Sequence, residues 1–238
     1  MTKILEGAPR SVRERSHGVP GGGAVAPRGA REGWGTVVLH GVDVSNWQGA
    51  VDWAGHAGDG VGFGFAKASE GTGFTDKWFA RNWAAMRENW LVCGAYHFGH
   101  PKSDPVDQAR HFLDVVDAAG GLRRGDLIAL DLERSGHLPP REVSAFARRW
   151  CKVISLVTGV RPVIYTFLAF ARKGNCQGLQ DHPLWIAAPS HPKGRPVVPA
   201  PWRRWTIHQY AHGSTDRNVF RGTRAELAAL GYQPRRLT

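Results

Sequence analysis

A chain of 238 residues with 42% hydrophobic side chains can build one α/β barrel or two small domains, and that much apolar content excludes disorder of the whole. The 31 Lys and Arg against 20 Asp and Glu give a formal charge of +11, a field that draws polyanions such as nucleic acid, anionic membrane or bacterial wall polymers. No run of about 18 apolar residues occurs, so membrane insertion is not expected. Cys93, Cys151 and Cys176 lack the close spacing of a zinc site and read as buried thiols.

Residues 1–35, including SVRERSHGVPGGGAVAPRGAREGWG, are rich in Gly, Pro and Arg without apolar periodicity, and they read as a flexible leader. A charged start with no apolar core behind it is not a secretory signal, which leaves release by a holin, by lysis or by a secretion apparatus as the expected routes.

From residue 36 to 238 the pattern is that of one domain. Strand-like runs fall at 37–45, 61–69, 92–98, 127–133, 161–166, 183–187 and 204–210. Helix-like stretches fall at 75–89, with Thr75 as N-cap, at 104–120, and at 140–159, with Pro140 in the first turn and Gly159 past the end. Between Thr166 and Trp205 six prolines, with Gly174 and Gly178 among the linker residues, leave little room for full helices. The fold class predicted is α/β, a single irregular TIM-like (β/α) barrel whose helices are missing in the second half.

Acids recur at the ends of these runs. In LIALDLERSG, Asp131 and Glu133 stand two apart, so on a strand they share a face while Leu130 and Leu132 take the other. In a parallel barrel the C-terminal strand ends form the active face. Two like charges that close cannot both ionise cheaply, which raises the pKa of one and prepares it to donate a proton, as cleavage of a glycosidic bond requires. Asp43 in HGVDVSNWQG, Glu70 after FGFAKAS and Asp216 in GSTDRNVF stand at or after further runs and would converge on the same mouth. A lone acid in such a place is more often a turn or cap residue, and the same-face pair carries the stronger signal.

Taken together in order, GVDVSNWQG, FAKASEGTGFTD, GAYHFGHP, DQARHFL, ALDLE, RPVIYT, PLWIA, HQY and TDRNVF resemble glycoside hydrolase family 25, the Chalaropsis-type lysozymes, over residues 41–220. The resemblance implies cleavage of the β-1,4 bond between N-acetylmuramic acid and N-acetylglucosamine in peptidoglycan, with Glu133 as general acid, Asp131 as its partner, and Asp43 and Asp216 completing the acidic pocket. It also implies a groove lined by Tyr96, Phe98, Tyr165 and Trp185; Glu70 is a candidate substrate contact by its place after a strand run alone. Two positions depart from the family pattern: Pro189 follows LWIAA where tyrosine is usual, and His208 precedes Gln209 where tryptophan is common. The acetamido group of such a substrate favours a substrate-assisted route with retention.

No cofactor is expected. The spacings His97 with His100 and His208 with His212 lack the HExxH pattern of a metallohydrolase. The rival reading is a barrel that grips wall glycan without cutting it. A specific nucleic-acid role has no recognition motif behind the charge, and the basic surface suits an approach to anionic wall polymers by a monomeric enzyme.

Overall fold

In the computed structural model, which describes residues 38–234, each β-rich run of sequence becomes a short strand and the intervening amphipathic segments become helices. The elements in chain order are β1 (Val38–Val44), α1 (Trp53–Gly58), β2 (Val61–Glu70), β3 (Phe74–Thr75), α2 (Phe79–Glu88), β4 (Val92–Phe98), α3 (Pro105–Ala118), β5 (Leu127–Asp131) and α4 (Pro140–Thr158). There follow β6 (Val163–Phe167), α5 (Leu168–Phe170) with a π-turn at Ala171–Asn175, β7 (Leu184–Ala187), β8 (Ile207–Ala211), β9 (Asp216–Arg221) and α6 (Arg224–Ala229). The expected leader at 1–35 lies outside the described residues. Among the described residues no helix is long and apolar enough to cross a membrane.

The sheet closes on itself. Neighbours run β1-β9-β8-β7-β6-β5-β4-β2, and β1 also pairs with β2 in parallel, giving an eight-stranded barrel with β3 as a short appendage on β2. All pairings around the ring are parallel except those of β9, which is antiparallel to β1 and β8. Helices fill the outside of the first half. Beyond β6 the connections carry only α5 and the π-turn until α6: Gly174 (φ 85°) and Gly178 (φ 77°) break the β6–β7 segment, and Pro189, Pro192, Pro196, Pro199 and Pro201 interrupt the β7–β8 segment.

Local sequence sets several boundaries. Asp104 caps α3 by accepting from the backbone N–H of Val106 (2.7 Å) and Asp107 (3.0 Å), ahead of Pro105. Gly159 ends α4 at φ 74°, a left-handed conformation costly for any side chain. Thr75 is not the N-cap that the sequence suggests. It pairs with Ser69 in β3, and the chain turns later, where Asp76 Oδ1 accepts from Trp78 N–H (2.9 Å) before α2 begins at Phe79.

Two apolar layers result from the alternation of side chains along each strand. One lies inside the barrel and includes Phe63 and Phe65 of β2, Leu127 and Ala129 of β5, Trp185 of β7 and Phe220 of β9. The other lies between sheet and helices, with Trp53, Trp83, Trp150, Leu130 and Leu132 among its members. Fully burying one such large side chain contributes about 1.5–3 kcal/mol. The interior is crowded: a Cβ on Gly41 would lie 2.3 Å from the Phe63 ring, and one on Gly94 would lie 2.2 Å from that of Phe65. Glycine at those two strand positions is what lets both phenylalanines point inward.

Candidate active site

Strand direction decides where the acids meet. Asp131 is the last residue of β5 and Asp43 lies next to the last of β1, both at the C-terminal ends of parallel strands. Asp216 reaches that end differently from the sequence expectation. It opens the antiparallel strand β9, whose register places it directly opposite Asp43, so its start rather than its end is at the mouth. Glu133 follows β5 by two residues and keeps to the side of Asp131, while Leu132 between them packs into the outer core. Together these four acids line one cavity of about 190 Å³ with Tyr96, Tyr165, Trp185, Ser45, Trp47 and Gln48.

The two halves of this cavity differ in how their carboxylates are held. On the β1/β9 side, Asp43 Oδ2 accepts from Gln209 Nε2 (2.8 Å) and from Asn218 Nδ2 (2.7 Å). Gln209 Nε2 also reaches Asp216 Oδ2 (3.2 Å), and Gln209 Oε1 accepts from the Tyr165 hydroxyl (3.0 Å). Trp185 donates its indole N–H to Asn218 Oδ1 (2.7 Å), which fixes the amide with its nitrogen toward Asp43. His212 Nδ1 lies 3.2 Å from Asp216 Oδ1 at the outer edge. Burial pushes the Asp43 carboxyl up to about 6 against the downward pull of the two amide donors, and the facing Asp216 adds a smaller push in the same direction.

The β5 side is less provided for. Asp131 is 8% exposed, and its Oδ1 is buried without a hydrogen-bond partner among the described residues. Burial and the neighbouring Glu133 charge hold its carboxyl well above the usual carboxylate range, against a weaker opposing pull from Lys67. Glu133 is partly exposed; burial raises it too, while Arg134 and Lys67 pull it down. The pair is therefore electrostatically inclined to keep one proton between its two carboxyls.

The aromatic expectations divide. Tyr96 and Tyr165 line the cavity, and burial together with the nearby acids pushes both phenols up, so they remain hydrogen-bond donors at any working pH. Trp185 lines it as well but is only 2% exposed, its ring centre 4.5 Å from the tilted Phe65 ring and 4.8 Å from the edge-on Tyr165 ring, so it serves as floor and as anchor of Asn218. Phe98 and Glu70 do not line this cavity. The Phe98 ring is buried between the Lys67 ammonium (4.9 Å from its centre) and the Arg134 guanidinium (5.1 Å). Glu70 is occupied by Lys67 Nζ (2.5 Å) and His100 Nε2 (2.8 Å); against the upward pull of burial, these bonds hold its carboxyl below its ordinary value.

Sequence reasoning did not assign roles to Gln209, Asn218, Ser45, Gln48 or Trp47. A usable signal existed for Asn218, since it stands two residues after Asp216 and two before the inward Phe220, on one face of a strand. Gln209 had the same signal relative to Ile207. Trp47, 86% exposed at the rim, offers an open indole face to a sugar ring. Of the histidine pairs of the sequence, His97 and His208 are engaged away from the cavity, while His212 meets Asp216 at its edge. His97 is buried between Ser69 Oγ (2.9 Å) and Gln108 Oε1 (3.0 Å), and His208 accepts from Gly194 N–H (3.1 Å) and donates to the Ala188 carbonyl (3.0 Å). His208 at the position where a tryptophan was expected thus ties the proline-rich 188–194 segment to β8.

Comparison with known proteins agrees with this arrangement. The family model for Glycosyl hydrolases family 25 matches residues 42–219. Protein YegX of Escherichia coli O157:H7 is 37% identical over 204 residues, covering 81% of this chain and 73% of that protein. An N,O-diacetylmuramidase from Chalaropsis is 30% identical over 212 residues, covering 81% of this chain and 98% of its own. Among solved structures, a family GH25 lysozyme from Aspergillus fumigatus superimposes with a TM-score of 0.74 at 28% identity, covering 83% of this chain and all of that one. A muramidase from Acremonium alcalophilum gives 0.72 at 30% identity, covering 81% and 98%. With the family match spanning most of the barrel, the chain belongs to glycosyl hydrolase family 25 and is a glycosidase.

Proposed function

We propose that the protein is a muramidase that hydrolyses the β-1,4 bond between N-acetylmuramic acid and N-acetylglucosamine in peptidoglycan. The observation that carries the proposal is the pairing of buried Asp131 with partly exposed Glu133 at the end of β5, both raised in pKa, in a cavity large enough for a sugar ring and walled by two tyrosines. Relatives named lysozyme and N,O-diacetylmuramidase support the same substrate. The protein acts on the bacterial cell wall, a reading that the relatives named lysozyme and N,O-diacetylmuramidase support.

Glu133 is the partly exposed member of the pair, so it is the one whose proton a leaving oxygen can meet. It protonates the glycosidic oxygen as the carbonyl oxygen of the substrate's own 2-acetamido group attacks C1. The N-acetylglucosamine end leaves, and a cyclic oxazolinium forms on the muramic acid. As the pair's one proton passes through Glu133 to the leaving oxygen, Asp131 is left as the carboxylate that accepts the amide N–H of that group and stabilises its positive charge. Glu133, now a carboxylate, takes a proton from water, which opens the ring at C1 with net retention. Asp43 and Asp216 complete the acidic wall, held in place by Gln209 and Asn218.

Glu133→Gln should abolish turbidity loss of purified cell walls while leaving the fold intact; undiminished lysis removes Glu133 from the acid role. Proton NMR of the first product should show the β anomer, and an initial α anomer rejects assistance with retention. A barrel that binds glycan without cutting it predicts no new reducing ends from the unmodified protein.

A further inference from the structure

The opposite end of the barrel carries a second and larger cleft, of about 1230 Å³. It is bounded by residues just ahead of β6, β7 and β8, including Arg161, Pro183 and Thr206, and by Arg221 at the end of antiparallel β9. Every one of these positions is at the N-terminal end of the parallel strands, away from the four acids. Arg203 and Arg204, in the connection that leads to β8, complete its basic lining.

These four arginines are exposed, and among the described residues none has a carboxylate within salt-bridge distance. Arg161 donates to the Asp181 carbonyl oxygen (3.0 Å), which steadies one guanidinium while its charge stays uncompensated. The two acids on the cleft wall, Asp181 and Glu226, do not offset four guanidinium groups. Glu226 is moreover occupied by the capping box of α6, where its carboxylate accepts from Thr223 N–H (2.7 Å). Like charges gathered around one concavity repel, and an arrangement that keeps them is relieved by an anion lying between them.

The aromatic rings at this end are not presented for stacking. Trp202 is 7% exposed with its N–H donated to the His182 carbonyl, Phe220 is 5% exposed, and Trp205 packs partly against the outer core. A nucleic acid strand would find phosphate partners here but few open ring faces for its bases. A polymer recognised by its phosphates alone matches the lining better.

We propose that this cleft is a binding site for a phosphodiester-linked polyol, the chemistry of anionic polymers in bacterial walls, with Arg161, Arg203, Arg204 and Arg221 as its phosphate contacts. The site lies on the end of the barrel away from the catalytic mouth, so one molecule can hold such a polymer while cutting the glycan beside it. The biological sense of this rests on the muramidase reading, but binding itself does not.

The test uses the full chain and purified poly(glycerol phosphate) as the probe, with affinity measured over a range of salt. The variant Arg203→Ala/Arg204→Ala/Arg221→Ala should bind about tenfold or more weakly at low salt, and its salt dependence should be shallower by about 2 to 3 in logarithmic slope. A control that removes three exposed charges elsewhere, Arg141→Ala/Arg149→Ala/Arg172→Ala, should keep most of the affinity. Both variants should hydrolyse polymer-free peptidoglycan at the unmodified rate. Equal losses in the two variants would attribute binding to net charge and overturn the site. So would unchanged affinity in the cleft variant, or tighter cleft-dependent binding of an unstructured oligonucleotide than of the polymer. Hydrolysis is read separately from binding, so a failure of the muramidase assignment leaves the polymer result standing, and the converse holds.

Discussion

The two sides of the catalytic mouth are both acidic, yet they are built to opposite standards of hydrogen bonding. Asp43 is gripped by two amides that are themselves fixed by Tyr165 and Trp185, so every donor in that wall has a stated partner. Asp131 across the cavity has an oxygen with none and a carboxylate neighbour two residues away. A buried polar atom without a partner costs about 1–3 kcal/mol. Evolved sites keep such a cost where a ligand supplies the missing partner during the reaction. In the proposed mechanism the β5 side performs the chemistry and the β1/β9 side holds the shape in which that chemistry occurs.

The largest expected effect follows directly. Asp131→Asn should lower kcat on cell walls by about 10²–10³, the loss typical of removing one electrostatic stabiliser of a developing charge. Asp43→Asn should cost much less, because the asparagine oxygen can still accept from Gln209 and Asn218. Comparable losses in steady-state assays of the two variants would erase the division between the halves.

Stability should run the other way, with Asp131→Asn gaining more than Asp43→Asn. A carboxyl whose folded pKa is raised binds its proton more tightly in the native state, so stability falls as pH rises from the unfolded value through the folded one. For Asp43 that window runs from 3.8 to about 6. Replacing it with asparagine should therefore raise Tm at pH 7 by a few degrees, at roughly 2–4 °C per kcal/mol for a domain this size. The gain should disappear below pH 4, and calorimetry at three pH values checks the sign. A loss of Tm at pH 7 would mean that the amide cradle prefers the charge more than burial penalises it.

The smallest effect is the most specific. Gln209→Ala removes one of the donors that pull Asp43 down, so the titration midpoint of that carboxyl should climb above about 6 in a carbon-detected NMR titration. A lower midpoint would show that Gln209 does not act through Asp43.

How far the sequence carried the account depended on whether the cause was local. The pair at 131 and 133 was legible because a two-residue period is a property of the strand itself, and the barrel was legible in the alternation of runs and the prolines after Thr166. The helix 140–158 was fixed by proline at its start and glycine past its end. Asp216 was found as an acid but not as the first residue of an antiparallel strand, since that direction is set by closure of the ring against β1, 173 residues earlier at Asp43. Glu70 was assigned to the mouth by its place after a strand run and Phe98 to the groove by resemblance, yet their side chains are taken up by Lys67, His100 and Arg134, a choice made by packing around β2 and β4. The same holds for Gln209 and Asn218, whose importance lies in a partner more than 160 positions away.

The central claim is that Glu133 delivers the proton that breaks the muramic acid to glucosamine bond, and mass spectrometry of the muropeptides released from purified peptidoglycan tests it most directly. The account predicts fragments ending in a reducing N-acetylmuramic acid from the unmodified protein and none from Glu133→Gln. Fragments ending in reducing N-acetylglucosamine, or undiminished release by the variant, would contradict it.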